Sequence, residues 1–359
     1  MHNIIPTNIS KFTQDYILFM TITLLNLQVA SSYKETAINW IWPKYLVRGK
    51  LHILGGQPGT AKTTIALDIA AKITNGELFP DGTSLGRPGY VVIWSDEDSI
   101  EDVLKPRLMA ANADLERIYF IDSISLGKNC SNYIEPSTDL KSLYNSLPDL
   151  PIDLIIFDPL TSLIKGDTNK QIDVRDSLRW VVDLAEKKCC AILGITHFTK
   201  GTAGTSPVER ITGSIAFSAL SRIALATLIS PNSDRKVLCI AKSNLGIDQG
   251  GFEFTVEQVL IGNEITASKI HWIQELNKNA YQITNELNKR EDQRINHTAI
   301  DVLTDLLSEG KQESNFIKQS MQSHGYSDKQ IRTARDNLKI LIERSGKQTY
   351  WSLSKNQQS

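Results

Sequence analysis

The residues Gly56-Gln57-Pro58-Gly59-Thr60-Ala61-Lys62-Thr63-Thr64 have the composition of a loop that closes around a phosphate. Its glycines let successive backbone N–H groups turn inward on an anion. A helical pattern from Ile65 to Ile73 then brings a helix N-terminus, with its partial positive charge, to the same point. Lys62 is placed to reach β- and γ-phosphates, and the Thr63 hydroxyl to ligate a metal, so ATP and Mg²⁺ are the expected cofactors. Ala61 stands where such loops usually carry glycine. Alanine is acceptable there if the backbone is already helical, since only a positive φ demands glycine.

Three further groups could act on a bound phosphate. Ser95-Asp96-Glu97-Asp98 follows the apolar run Tyr90 to Trp94, so an acidic cluster stands at the C-terminal end of a buried strand. That is the end at which open α/β sheets hold ligands. Any of the three carboxylates could be a general base. Asp158 closes the run Asp153-Leu-Ile-Ile-Phe, the pattern of the Mg²⁺-side partner of a phosphate loop. Thr196-His197-Phe198-Thr199-Lys200 closes the apolar run Cys189 to Ile195.

These groups need strands to end beside one another. Buried runs at Leu51–Leu54, Tyr90–Trp94, Asp153–Asp158, Cys189–Ile195, Ile223–Ile229 and Lys236–Ala241 alternate with helical patterns at Ile65–Ile73, Ser99–Ala111 and Arg175–Lys188. Arg117 to Ile121 reads as one more strand, and Ile211 to Arg222 as helical in part. The alternation predicts an α/β fold with a mostly parallel, doubly wound sheet. Gly201 to Arg210 reads as a polar, glycine-containing mobile loop.

The polar stretch 276–296 reads as a linker. Beyond it, Thr298-Ala-Ile-Asp301 matches a capping box, and Ala299, Val302, Leu303, Leu306 and Leu307 share a face that stops at Gly310. A second helix is expected at about Glu313 to Ser323 and a third after Ser327. A hairpin around Ser345-Gly346 follows. Three helices and a hairpin predict a small winged helix-turn-helix over 297–359. Its third helix, drawn from Asp328 to Lys339, gathers Arg332, Arg335 and Lys339 as candidate DNA-binding residues. From Ser327 onward, seven Lys/Arg stand against three Asp/Glu. A solvated helix face, or a surface docking a replication protein, is the competing reading of that charge.

The 359 residues carry a net charge of −1, which excludes a chain-wide basic footprint and confines nucleic-acid contact to local patches. Cys130, Cys189, Cys190 and Cys239 lack C-x-x-C spacing and read as reduced core thiols of a cytoplasmic protein. Tyr16 to Ala30 is apolar-rich but short for a membrane span, and Asn26 and Gln28 interrupt it. Lys11 upstream gives it some signal-peptide character. A helix packed on the main domain or on a neighbouring subunit is the preferred reading, an unordered extension the next, and no membrane partner is expected. Residues 1–33 are therefore an extension and 34–275 the main domain.

Taken in order, Lys62-Thr63, Glu97, Asp158, Thr196-His197 and Lys242 resemble the RecA-like ATPase domain of plasmid RepA-type hexameric replicative helicases. That family spans plasmids, phages and mobile elements. The resemblance covers about Ile38 to Lys242, weakening towards Ile273. It extends to Trp40-Ile-Trp-Pro43, Arg48-Gly-Lys50, Asp158-Pro-Leu160, Asn169, Gly213-Ser214 and Lys242-Ser-Asn244. It implies a P-loop ATPase in which Glu97 polarises the attacking water and Asp158 holds Mg²⁺ through water. It also implies that His197 senses the γ-phosphate, and that Arg222 or Lys242 reaches the neighbouring subunit's nucleotide. The expected partners are single-stranded DNA, gripped by the loop from Lys200, and further copies of the chain in a hexameric ring. The competing expectations are an ATPase that loads or remodels replication proteins without unwinding, and an ATP-gated DNA-binding regulator or initiator.

Overall fold

The computed structural model describes residues 27–121, 124–126, 129–131, 143–145, 147, 150–199, 205–211, 215–230, 234–262 and 264–354. The chain divides into two units, Met1–Ile38 and Asn39–Ser359. In the first, the described residues are exposed and hold one 3₁₀ turn, Ala30–Ser32. The helix expected over Tyr16 to Ala30 lies, up to residue 26, outside the described residues.

The second unit opens with a small hairpin, β1 (Trp40–Trp42) and β2 (Leu46–Val47), and then β3 (Leu51–Gly56). The loop after β3 enters α1 (Lys62–Asn75). Next come β4 (Tyr90–Ser95), a π turn at Ile100–Leu104 running into α2 (Lys105–Ala110), and β5 (Ile118–Phe120). The short pair β6 (Ile124–Leu126) and β7 (Asn129–Ser131) precedes β8 (Ile152–Asp158), α3 (Gln171–Lys188) and β9 (Ala191–His197). Two short helices, α4 (Pro207–Ile211) and α5 (Ile215–Leu220), lead to β10 (Ile223–Ile229) and β11 (Lys236–Ser243). A long ribbon, β12 (Gly251–Ile261) and β13 (Ile265–Leu276), completes the sheet.

The nine-stranded sheet has the order β13-β12-β11-β10-β3-β9-β8-β4-β5. The strands from β10 to β5 run parallel, while β11, β12 and β13 add on antiparallel. The mostly parallel α/β sheet is thus as the sequence predicts. Strands β3, β8 and β9 are buried along nearly their whole length because apolar clusters cover both faces. On one face Ile65, Ile69 and Ile73 of α1 pack with Phe252 and Phe254 of the ribbon. On the other, Val174, Leu178 and Val181 of α3 pack with Phe157 and Ile192.

The Trp40-Ile-Trp-Pro43 motif is part of this packing. The Trp42 ring stacks on Tyr45 at 4.2 Å and on Phe79 at 4.9 Å, and its Nε1–H donates to Asp81 Oδ2 at 3.1 Å. Arg48 of the neighbouring motif pairs with Asp153, a fully buried carboxylate at the start of β8. Arg87 reaches the same carboxylate at 2.9 Å and the Tyr90 N–H donates to it at 3.0 Å.

The stretch read as a linker is instead helix. α6 (Ala280–Ser308) runs unbroken for 29 residues, and its capping box is at Asn279 and Gln282 rather than at Thr298. Ala280, Ile283 and Leu287 belong to the core beneath the large sheet, while Ala299, Leu303 and Leu307 belong to a second core. α7 (Ser314–Ser323), α8 (Asp328–Asn337) and a three-stranded sheet complete that second core. The sheet has β16 (Gln348–Ser352) between β14 (Gln312–Glu313) and β15 (Leu341–Ser345). Trp351 is buried at its centre. α8 ends at Asn337, and Lys339 follows with φ of 48°, so Lys339 does not continue the helical face on which the sequence placed it.

Candidate active site

Parallel pairing brings the chemical groups together. Gly56 at the end of β3 pairs with His197 at the end of β9, and Ser95 at the end of β4 pairs with Asp158 at the end of β8. On the other side of β3, Thr227 pairs with Gly56. The acidic cluster, the strand-end aspartate, the histidine and the glycine-rich loop therefore share one edge of the sheet, the edge at which α1 begins.

Gly56 is glycine for lack of space: a Cβ there would lie 1.9 Å from Thr227 Oγ1 and 2.7 Å from Thr60 Oγ1. Those two hydroxyls hydrogen-bond at 2.6 Å and tie the loop to β10, a contact with no sequence signature, since Thr227 looks like any strand residue. Gly59 has φ of 76° and no atom within 4 Å of its would-be Cβ, leaving the loop open on that side. Ala61 has φ of 66° and ψ of 31°, the left-handed conformation, so the helical backbone expected there is corrected. Alanine sits in a conformation that favours glycine, held by the turn into α1.

The Lys62 ammonium donates to Gly56 O at 3.2 Å and Gln57 O at 3.0 Å, curled within the loop, and stands 3.4 Å from His197 Nδ1. Burial pushes its pKa down, against the pull of Asp158 and Glu97. Thr63 Oγ1 donates to Asp158 Oδ2 at 2.5 Å. Burial raises the Asp158 carboxyl to about 6; the Thr63 hydrogen bond opposes the rise, and Glu97 and Asp98 add to it. Among the described residues no three His, Cys, Asp or Glu side chains cluster as a protein-only metal site. A hydroxyl and one carboxylate at the start of a phosphate loop suit Mg²⁺, which keeps several waters and borrows phosphate oxygens.

The acidic cluster divides its labour. Asp96 accepts from Ser162 Oγ at 2.9 Å, and Asp98 pairs with Arg107 at 3.0 Å. Glu97, half exposed, stands 3.4 Å from His197 Nε2. His197 thus lies between Lys62 and Glu97, suited to accept at Nδ1 and donate at Nε2.

The other sequence candidates lie elsewhere. Arg222 precedes β10, and Lys242, the penultimate residue of β11, lies opposite Ala224, so the two stand back from the loop towards the other end of the sheet, about 16 Å and about 10 Å along the strands from Gly56. The Lys242 ammonium donates to Ser218 O. Lys200 lies outside the described residues, as do Gly213-Ser214 of the motif. Part of the expected loop is helix, α4. Arg332 is exposed on α8, whereas Arg335 pairs with Asp336 at 2.6 Å and lies 5.8 Å from the Trp351 ring. Cys190 and Cys239 are buried, which pushes both thiols up to about 12, but Cys189 is exposed rather than a core thiol. Among the described residues no helix is long and apolar enough to cross a membrane.

The strand order, the loop between β3 and α1 and the aspartate closing β8 define a RecA-like P-loop ATPase. The AAA domain family profile matches residues 24–203, and the chain belongs to that family. Among solved structures, one ATPase domain is 11% identical to the chain with a TM-score of 0.43, covering 58% of this chain and 82% of that one. No curated protein matches the chain.

Proposed function

We propose that the protein is an ATP-driven motor on single-stranded DNA, a ring-forming replicative helicase of the kind carried by plasmids, phages and mobile elements. The observation that carries this reading is the division of the machinery along the strands of one sheet. Lys62, Thr63, Asp158, Glu97 and His197 gather at the end that holds the phosphate loop, while Arg222 and Lys242 stand back along the strands, away from that cluster. Cations placed there are the ones available to a neighbouring copy's nucleotide, which is the arrangement a ring uses.

The chemistry follows from the side chains. Lys62 exchanges loop carbonyls for phosphate oxygens and so adds positive charge where the transition state gathers negative charge. Thr63 and Asp158 would hold Mg²⁺, which neutralises phosphate charge when bound. Glu97, the carboxylate of its cluster left facing the site, orients and deprotonates the attacking water. His197 touches both Lys62 and Glu97, so loss of the γ-phosphate is felt at the start of the segment leading to Lys200. The terminal module is a winged helix that holds DNA with Arg332 and, in part, Arg335, Lys339 contributing from beyond the helix end.

The test is unwinding of a forked DNA with ATP, against Lys62→Ala. Wild type should unwind and the variant should neither unwind nor turn over ATP. ATP turnover unaffected by Lys62→Ala would refute the site. Turnover without unwinding would favour a loader or remodeller.

A further inference from the structure

Arg210, the penultimate residue of α4, has an unusual setting. Its guanidinium stacks over the Phe198 ring at 4.3 Å, and its Nε–H is buried with no hydrogen-bond partner. No carboxylate pairs with it among the described residues. A buried, unpaired donor on a permanent cation is rare, since ordinary packing supplies a carbonyl or carboxylate for it.

The space beside it explains the exception. Arg210 lines a cavity of about 150 Å³ with Gln57 of the phosphate loop, Thr227 of β10, and Thr284 and Asn288 of α6. Its remaining walls, Phe198 and Leu287 among them, are apolar, and none of its lining residues is acidic. The Gln57 and Asn288 amides can donate, and the guanidinium offers a planar fork of N–H groups suited to phosphate oxygens. None of Lys62, Thr63, Asp158 and Glu97 lines this cavity, which meets the phosphate loop only at Gln57. The backbone ties the two places together. Phe198 N donates to Gly56 O at 3.1 Å, and Thr199 N donates to Arg210 O at 2.8 Å.

We propose that this cavity, between the phosphate loop, α4 and α6, is a second anion site that takes one phosphate group, with Arg210 as its charged ligand. The group comes either from a nucleic-acid backbone or from free phosphate. In either case it would join the phosphate loop, the segment after His197 and α6 through one ligand.

The experiment uses the full chain with the nucleotide site filled by ADP and Mg²⁺. Isothermal calorimetry follows inorganic phosphate, then a short oligothymidylate in competition with it. Wild type should bind phosphate saturably, and Arg210→Gln should weaken that binding about tenfold or more, as expected for losing charge-assisted hydrogen bonds. Asn288→Asp, which puts a carboxylate in the cavity from an exposed helix position, should weaken it too. ADP affinity should stay near wild type in both. Competition by oligothymidylate assigns the site to a nucleic-acid backbone, and its absence assigns it to free phosphate. No saturable phosphate binding, or equal binding by wild type and both variants, overturns the proposal. Failure of ADP to bind would instead remove the nucleotide reading, and the phosphate titration can be run without ADP.

Discussion

At the scale of single residues, Glu97 and its neighbours make the sharpest test. Asp96 and Asp98 are engaged by Ser162 and Arg107, and Glu97 faces His197. Glu97→Gln should keep nucleotide binding and lose hydrolysis, typically by 10²–10⁴-fold for a lost general base. A greater loss from Asp96→Asn or Asp98→Asn in the same steady-state assay would move the base to that residue. His52 offers a second test. It is fully buried, its Nε2 accepts from Val47 N at 3.0 Å, and Nδ1 lies 3.1 Å from Ile192 O. Burial lowers its pKa from 6.5 to about 4. Between those values the unfolded chain binds a proton that the folded chain refuses. This contribution to stability is therefore complete above pH 6.5 and falls by about 3 kcal/mol as the pH drops towards 4. Urea unfolding at pH 7.5, 6 and 5 checks it, and His52→Gln should flatten the profile. The phosphate-loop residues were legible because their chemistry is local. The left-handed backbone at Ala61 was not, because its φ is imposed by the junction between β3 and α1.

At the scale of elements, a polar composition misled where the sequence of a helix lacks an apolar stripe. The sequence of the middle of α6 carries no apolar stripe, and its described core residues stand towards its two ends, so periodicity gave no helical signal between them. The ribbon β12–β13 was missed for a related reason. Much of it is partly exposed and mixes polar with apolar residues, unlike the buried runs of the parallel strands. The Arg48 motif, which the resemblance linked to the ATPase domain, turns out to anchor β8. Asp153 is wholly buried among Arg48, Arg87 and the Tyr90 N–H. Asp153→Ala would strand Arg48, whose side chain is only 12% exposed, and should cost about 3–5 kcal/mol. Arg87→Ala, at a side chain 46% exposed, should cost no more than about 1 kcal/mol. Denaturant titration of both variants separates these outcomes. Equal, small losses would show that Asp153 is not the hub of the cluster.

At the scale of the whole molecule, the proposed ring makes Arg222 or Lys242 part of a neighbour's site, and that has measurable consequences. Turnover per chain should rise with protein concentration. A mixture of Lys62→Ala and Lys242→Ala chains should regain activity that neither has by itself, since mixed neighbours can assemble one intact site. Concentration-independent turnover by a monomer in sedimentation would refute shared sites. Arg222→Ala in place of Lys242→Ala tells which cation crosses the boundary. The sequence exposed the order of the motifs but not this separation along the strands, which arises only from the strand order and the antiparallel return of β11.

The continuity of α6 has a mechanical side. A helix rising about 1.5 Å per residue places Leu303 about 30 Å beyond Ile283, the first within the small module's core and the second beneath the large sheet. A rod clamped at both ends multiplies angle into distance. A tilt of about 5° at Ile283 would swing Leu303 by about 3 Å. Any tilt of α6 at its Ile283 end would therefore appear in the small module as a displacement the size of a side chain.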